Sequence, residues 1–225
     1  MKMKLYRGIC VKESDFERVK QDILTNGINH LYSESRFQNQ LDFIDQSEVA
    51  LLKNKNAVSE SDIQNVVCSH YIFATGDKYG ADFYSRRSAV EGDVGLVVEF
   101  EVSLDQLMID GNDYFNKLPI WKPQSQDDLM LAKMIYGEEI EHYVNKIRST
   151  SPKFDFDIWL RLARQDTKLI IAHHQNTKVC LKAGHLGNYH SAFIVRSPVS
   201  ACKVTNVSRV ENFVPKNSVP LATFN

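Results

Sequence analysis

Two short motifs in this 225-residue chain combine residue types suited to a ligand carrying both phosphate and a flat charged ring. Tyr6-Arg7-Gly8 stands at the edge of an early apolar run. An arginine there offers fixed charge and a planar fork of donors, the chemistry that grips a diphosphate, while a glycine lets a ligand approach the backbone. Taken alone, the tripeptide reads more often as a surface arginine at a strand end. Phe73-Ala74-Thr75-Gly76-Asp77 then leads into Tyr79-Gly80-Ala81-Asp82-Phe83-Tyr84. A hydroxyl at the end of a strand, Thr75 beside Gly76, supports a ligand or orients a carboxylate. The rings of Tyr79, Phe83 and Tyr84 on one side of the next helix could stack on a flat cationic ring, whereas Phe73 reads as core. His173-His174 invites a metal, but neighbours on a strand point to opposite faces and no HxH, HExxH or cysteine cluster accompanies them, so no metal is expected. Glu138, Glu139 and Glu141 fall within an amphipathic helix, where a solvated charged face is the ordinary explanation. The GxGxxG, GxxxxGK[ST] and GxSxG turns are missing, which leaves Rossmann, P-loop and α/β-hydrolase readings without their defining features.

The elements that would position these groups follow from periodicity. Leu5 to Val11 suits a strand, and Glu13-Ser14-Asp15 can cap a helix whose apolar positions Phe16, Val19, Ile23 and Leu24 run to a stop at Asn26-Gly27. Residues 28–60 are polar and weakly periodic and read as loop, with a helical stretch around Gln46 to Leu52 and another from Ser59 to Val67. His70 to Thr75 predicts a strand, Asp77 starts a helix, Gly95 to Val102 is the clearest strand, and Gln106 to Ile109 follows as a further one. Leu131, Ile135, Tyr136, Ile140, Tyr143, Val144 and Ile147 mark one face of a single helix over Asp128 to Ile147, with Ser125 and Asp128 as its capping pair. A second helix is predicted over Phe156 to Arg164. Four strands then close the chain, at Lys168 to Ala172, Lys178 to Leu181, Ser191 to Arg196 and Ala201 to Val207. No repeat or interdomain linker interrupts residues 1–225, so a single α+β domain with mainly antiparallel strands is expected.

In this order the motifs resemble the ADP-ribosyltransferases, particularly the bacterial and phage-related toxin branch that includes DarT-like enzymes. The resemblance implies a mainly antiparallel split sheet with flanking helices, NAD as co-substrate, and a cofactor site made of Tyr6, Arg7, Gly8, Thr75, Gly76, Tyr79, Phe83 and Tyr84. It assigns Arg7 to the phosphates or adjoining ribose, Thr75 to the ribose or a carboxylate, and Tyr79 with Tyr84 to the nicotinamide. The family's catalytic glutamate precedes an aliphatic or aromatic triplet and a proline turn. Ser191-Ala192-Phe193-Ile194-Val195-Arg196-Ser197-Pro198 is similar to that segment, and in this register the glutamate position is Ala192. The resemblance implies an enzyme disabled by loss of its glutamate; a naturally degenerate fold acting as a non-catalytic NAD- or protein-binding module is the alternative. Tyr189 and His190, just before this position, fall where relatives contact the acceptor. DarT-like relatives modify nucleic acid, so a nucleic acid acceptor is placed ahead of a protein one, with an antitoxin protein as a further partner. Arg86, Arg87, Lys146, Arg148, Lys153, Arg161 and Arg164, with Trp159 and Tyr143 nearby, could form a phosphate-binding surface, though solvent exposure on helices explains each residue alone.

Composition is that of an ordinary globular protein: 43% hydrophobic and 24% charged residues, with a formal net charge of -1. Near-neutrality announces neither nucleic acid nor a membrane surface. Cys10, Cys68, Cys180 and Cys202 are scattered without a CxxC pair and read as reduced, mostly buried thiols of a cytoplasmic protein. No signal sequence and no apolar run of about 18 residues is found, so no membrane association is expected.

Overall fold

The computed structural model describes residues 1–29, 71–86, 89–110, 115, 126–149, 159–160, 162–176, 180–181, 187–188 and 191–210. Strand β1 (Lys2–Lys12) begins with strict alternation: Lys2 and Lys4 are exposed while Met3, Leu5, Arg7 and Ile9 are buried. A strand of this kind presents one face to a core and needs neighbours on both edges. Those neighbours are β2 (Tyr71–Thr75) and β3 (Asp93–Ser103). β4 (Leu107–Ile109), β7 (Ala192–Arg196) and β8 (Val204–Arg209) complete a six-stranded sheet in the order β4-β7-β2-β1-β3-β8, in which every pairing is antiparallel. Cys180–Leu181 and Gly187–Asn188 form a separate small hairpin, β5 and β6.

Helices cover both faces. On one face lies the main core, where Leu5, Ile9, Ile72, Ala74, Val98, Phe100, Phe193 and Val195 from the sheet cluster with residues of α1 (Phe16–Asn26), α3 (Gln126–Tyr136), α4 (Ile140–Ser149) and α5 (Thr167–Gln175). The other face carries α2 (Lys78–Arg86), whose Ala81 packs with Tyr6, Val97 and Val210. Gly8 makes that approach feasible. A Cβ built on it would stand 1.8 Å from the carbonyl oxygen of Ala81, so any side chain would lift the helix off the sheet. The space expected to admit a ligand at Gly8 is therefore filled by α2.

Two helical readings need correction. The segment 168–172, expected to be a strand, lies in α5. Its run of Leu169, Ile170 and Ile171 suits either state, but the carboxylate of Asp166 accepts from the amides of Lys168 and Leu169 and so satisfies two donors that only a helix start exposes. The single helix expected over Asp128 to Ile147 is two helices, α3 and α4, broken at Gly137. That residue has φ of 85°, its amide bonds to the Lys133 carbonyl as a helix-ending glycine does, and a Cβ on it would lie 2.6 Å from Ala172 Cβ. The break turns the chain while letting α5 come close. Ile28, assigned to a polar loop, is fully buried and forms an isolated bridge with Val199. Residues 159–160 and 162–164 are helical within the stretch predicted as the Phe156 to Arg164 helix, which runs on to Gln165, and Ala201–Lys203 is a 3-10 turn before β8 rather than its first residues. The helices expected around Gln46 to Leu52 and Ser59 to Val67 lie outside the described residues. Among the described residues, no helix is long and apolar enough to cross a membrane.

Candidate functional site

Strand register decides which predicted site residues meet. Tyr6 on β1 stands opposite Thr75 on β2 and, across its other edge, opposite Glu99 on β3. Thr75 is in turn opposite Ala192 on β7, and Glu99 opposite Asn206 on β8. Directly paired residues project from the same face. Ala192, Thr75, Tyr6, Glu99 and Asn206 therefore form one row across five strands, on the face that carries α2. Thr75 and Ala192 are buried, Tyr6 and Glu99 half-buried, and Asn206 exposed.

Arg7 does not share that row. Alternation turns it to the core face, where its register partner is the buried Val98. Its guanidinium Nη1 donates to the carbonyl of Phe73, 2.6 Å away. Among the described residues β1 and β2 are in register at the single pair Tyr6–Thr75, and next to it the arginine reaches a β2 carbonyl. The structure thus brings Tyr6, Thr75 and Ala192 together and joins Arg7 to them through the β2 backbone.

The turn after β2 is tied by hydroxyls. Thr75 Oγ1 accepts from the Asp77 amide at 3.3 Å, and Ser191 Oγ accepts from the Gly76 amide at 3.1 Å. Asp77 Oδ1 accepts from the Tyr79 amide at 3.2 Å, at the start of α2. These bonds hold Gly76 against the end of β7. They also engage the Thr75 hydroxyl, which a ligand would share with the backbone.

Behind position 192 stands His173. It is fully buried, its ring centroid lying 4.8 Å from that of Tyr136 and 5.1 Å from that of Phe193. The Ala192 amide donates to its Nε2 at 3.1 Å, and its Nδ1 faces the Ile135 carbonyl at 3.4 Å. One nitrogen must accept and the other donate, so the ring is the neutral Nδ1–H tautomer. Burial opposes its charging and lowers its pKa from 6.5 to about 3. The sequence reading missed this role because it put the histidine pair on a strand; the capping carboxylate of Asp166 was the signal that placed it on a helix. His174, on the same helix, has Nε2 3.0 Å from the Lys4 carbonyl. Among the described residues no group of three or more His, Cys, Asp or Glu is arranged to hold a metal ion.

Glu99 is a carboxylate that the register puts into the row beside Tyr6, and polar Glu99 and Glu101 alternating with apolar residues in β3 mark its face. Its oxygen lies 2.8 Å from Lys4 Nζ and accepts from Thr205 Oγ1 at 3.2 Å. The hydrogen bond from Lys4 holds its pKa below the usual carboxylate value. Tyr6, between Thr75 and Glu99, has its phenol pushed up by burial and then by the Glu99 charge. The rings of α2 point outward: Tyr79, Phe83 and Tyr84 are exposed, with Phe83 and Tyr84 edge to face at 5.7 Å.

The predicted basic surface is divided. Arg164 is buried and its Nε donates to the Ile109 carbonyl at 2.8 Å, which removes it from any solvent-facing patch. Arg86 pairs with Asp82, Lys146 stands over the Trp159 ring at 5.6 Å, and the Tyr143 hydroxyl donates to Asp166. Lys146 and Arg148 are exposed. Arg87, Lys153 and Arg161, like Tyr189 and His190, lie outside the described side chains. Of the cysteines described, Cys10 is half-buried and Cys202 exposed, and neither is in a disulfide. Comparison of the chain with family models, with curated proteins and with solved structures finds no match.

Proposed function

We propose that this chain is an ADP-ribosyltransferase-type domain that takes NAD as co-substrate and serves transfer of ADP-ribose to a macromolecular acceptor, nucleic acid ahead of protein. One observation carries the reading: Tyr6, Thr75 and Ala192, separated by 69 and 117 positions in sequence, lie on three adjacent strands in one register row. Support also comes from the single register pair of β1 and β2 among the described residues, a seam of the kind a split sheet needs, with Arg7 reaching across it. In the transferase chemistry the glycosidic bond to nicotinamide breaks, positive charge develops at the ribose carbon, and a carboxylate in the row stabilises it. A methyl group at position 192 supplies no such charge.

The test is calorimetric titration of NAD into the chain, together with nicotinamide release by Ala192→Glu. Saturable binding and release by the variant are expected, the restored charge contributing about 10²–10³-fold in rate, the range seen for a removed oxyanion-hole donor. A chain that does not bind NAD, with a folded variant that releases no nicotinamide, sinks the proposal. The second reading, a non-catalytic binding module, is favoured by the engagement of the Thr75 and Ser191 hydroxyls with turn amides. Binding without release from Ala192→Glu would select it.

A further inference from the structure

The register of β4 carries the row one residue further than its named strand. Leu107, Met108 and Ile109 pair with Val195, Ile194 and Phe193, so the next residue, Asp110, stands opposite Ala192. The contact is made: the Asp110 amide donates to the Ala192 carbonyl at 2.8 Å. An ordinary antiparallel pair would return a bond from the Ala192 amide to the Asp110 carbonyl. Here that amide turns to His173 Nε2 instead. Leu107 and Ile109 are buried in the main core and Met108 is half-buried, so alternation assigns Asp110 to the face of Ala192, Thr75 and Tyr6. The residue is half-buried, and the one before it is pinned by Arg164 Nε on the Ile109 carbonyl.

We infer that Asp110 is the carboxylate of this site, standing one strand over from position 192. The inference rests on the transferase reading above. Adjacent strands are about 4.8 Å apart, so a carboxylate at 110 enters the row beside Ala192 from the β4 side, with Thr75 on the strand beyond. In the step assigned to it, the bond between the ribose C1′ of NAD⁺ and the nicotinamide nitrogen breaks, and nicotinamide leaves neutral with the bonding pair. The electron-poor C1′ then forms a bond to the oxygen of water or to an acceptor nucleophile, which loses its proton to solvent. The role assigned to Asp110 is electrostatic: its carboxylate faces C1′ and exchanges no proton in the step.

Nicotinamide release from NAD⁺ in water, and NAD⁺ affinity by calorimetry, are measured for the unaltered chain, Asp110→Asn, Asp110→Glu and Ala192→Glu. The unaltered chain is expected to release nicotinamide. Asp110→Asn should be slower by about 10²-fold or more, the scale of a lost preorganised electrostatic group, with affinity held within a few-fold. Asp110→Glu keeps the charge and should recover part of the rate, which separates loss of the carboxylate from loss of the fold. Release by the unaltered chain that Asp110→Asn matches in rate would overturn the role of Asp110 and leave the transferase reading intact. So would an inactive chain whose Ala192→Glu variant is active. An inactive chain that binds NAD⁺, with an equally inactive Ala192→Glu, overturns Asp110 in favour of a binding module. Failure of every folded variant to bind NAD⁺ overturns both.

Discussion

β1 is held in two different ways along its two edges. Toward β3 it forms an unbroken antiparallel register from Lys2–Ser103 to Lys12–Asp93, whereas toward β2, among the described residues, it is in register at Tyr6–Thr75 alone. The β1-β3-β8 half is thus fixed by backbone pairing. The seam is bridged by a side chain, Arg7 on the Phe73 carbonyl, and the site end of β7, besides its pairing with Thr75, is held by side chains: Ser191 and Thr75 on the turn amides, and His173 on the Ala192 amide. The difference explains why the candidate residues collect at the seam. A complete ladder leaves no backbone group or space for anything else, while a shorter pairing leaves both, at the cost of polar side chains that must be placed accurately.

The largest effects test whether the halves are nonetheless one unit. Phe100 and Phe193 lie on opposite sides of the seam, both fully buried in the same main core. Phe100→Ala and Phe193→Ala are each expected to cost about 3–5 kcal/mol in denaturant unfolding, within a single transition, because that core runs under both halves. Two separate transitions in either variant would break the comparison and make the halves independent. Next comes Gly8→Ala. Its Cβ meets the Ala81 carbonyl, a backbone atom that cannot rotate away, so a loss of about 3 kcal/mol is expected, at the upper end of overpacking costs.

His173 sharpens the contrast through pH. Above pH 6.5 the imidazole is neutral in both folded and unfolded chains and adds no proton-linked term. Below 6.5 the unfolded chain takes up a proton that the folded chain refuses until about pH 3, so stability falls as pH falls across that window. The slope approaches about 1.4 kcal/mol per pH unit, or about 2 kcal/mol by pH 5. His173→Gln keeps an acceptor without the titration, and the difference in slope between it and the unaltered chain isolates the histidine from carboxylates that titrate lower. Equal slopes from pH 7 to 5 would contradict the buried neutral ring.

Much of the backbone-held half was legible in sequence, because β1 and β3 combine apolar alternation with flanking turn residues, and α1 ends at Asn26-Gly27 as its pattern predicts. The antiparallel α+β class followed from the same signals. What the sequence concealed is long-range. Nothing near Arg7 says that its guanidinium turns from the row to a carbonyl 66 positions away, and nothing near Gly8 says that a helix fills its open side. Asp110 has no motif; it becomes a candidate through the register of β4 with β7. At 168–172 the error was local, since Ile170 and Ile171 favour strand by β-branching while Asp166 favours a helix start by capping.

That local contest supplies the smallest effect. Asp166→Ala removes the acceptor for the Lys168 and Leu169 amides and for the Tyr143 hydroxyl, which lies 2.7 Å from Oδ2. A loss of about 1 kcal/mol is expected, the usual value of an N-cap. The Ala192 amide then distinguishes two ways α5 could respond. If the helix merely frays at its first turn, His173, two turns further on, keeps its place between Tyr136 and Phe193, and the exchange of that amide tracks the global loss alone. Exchange faster than the global change would mean that the cap also sets the position of the helix, and that the side-chain-held end of β7 depends on a bond made seven residues before His173.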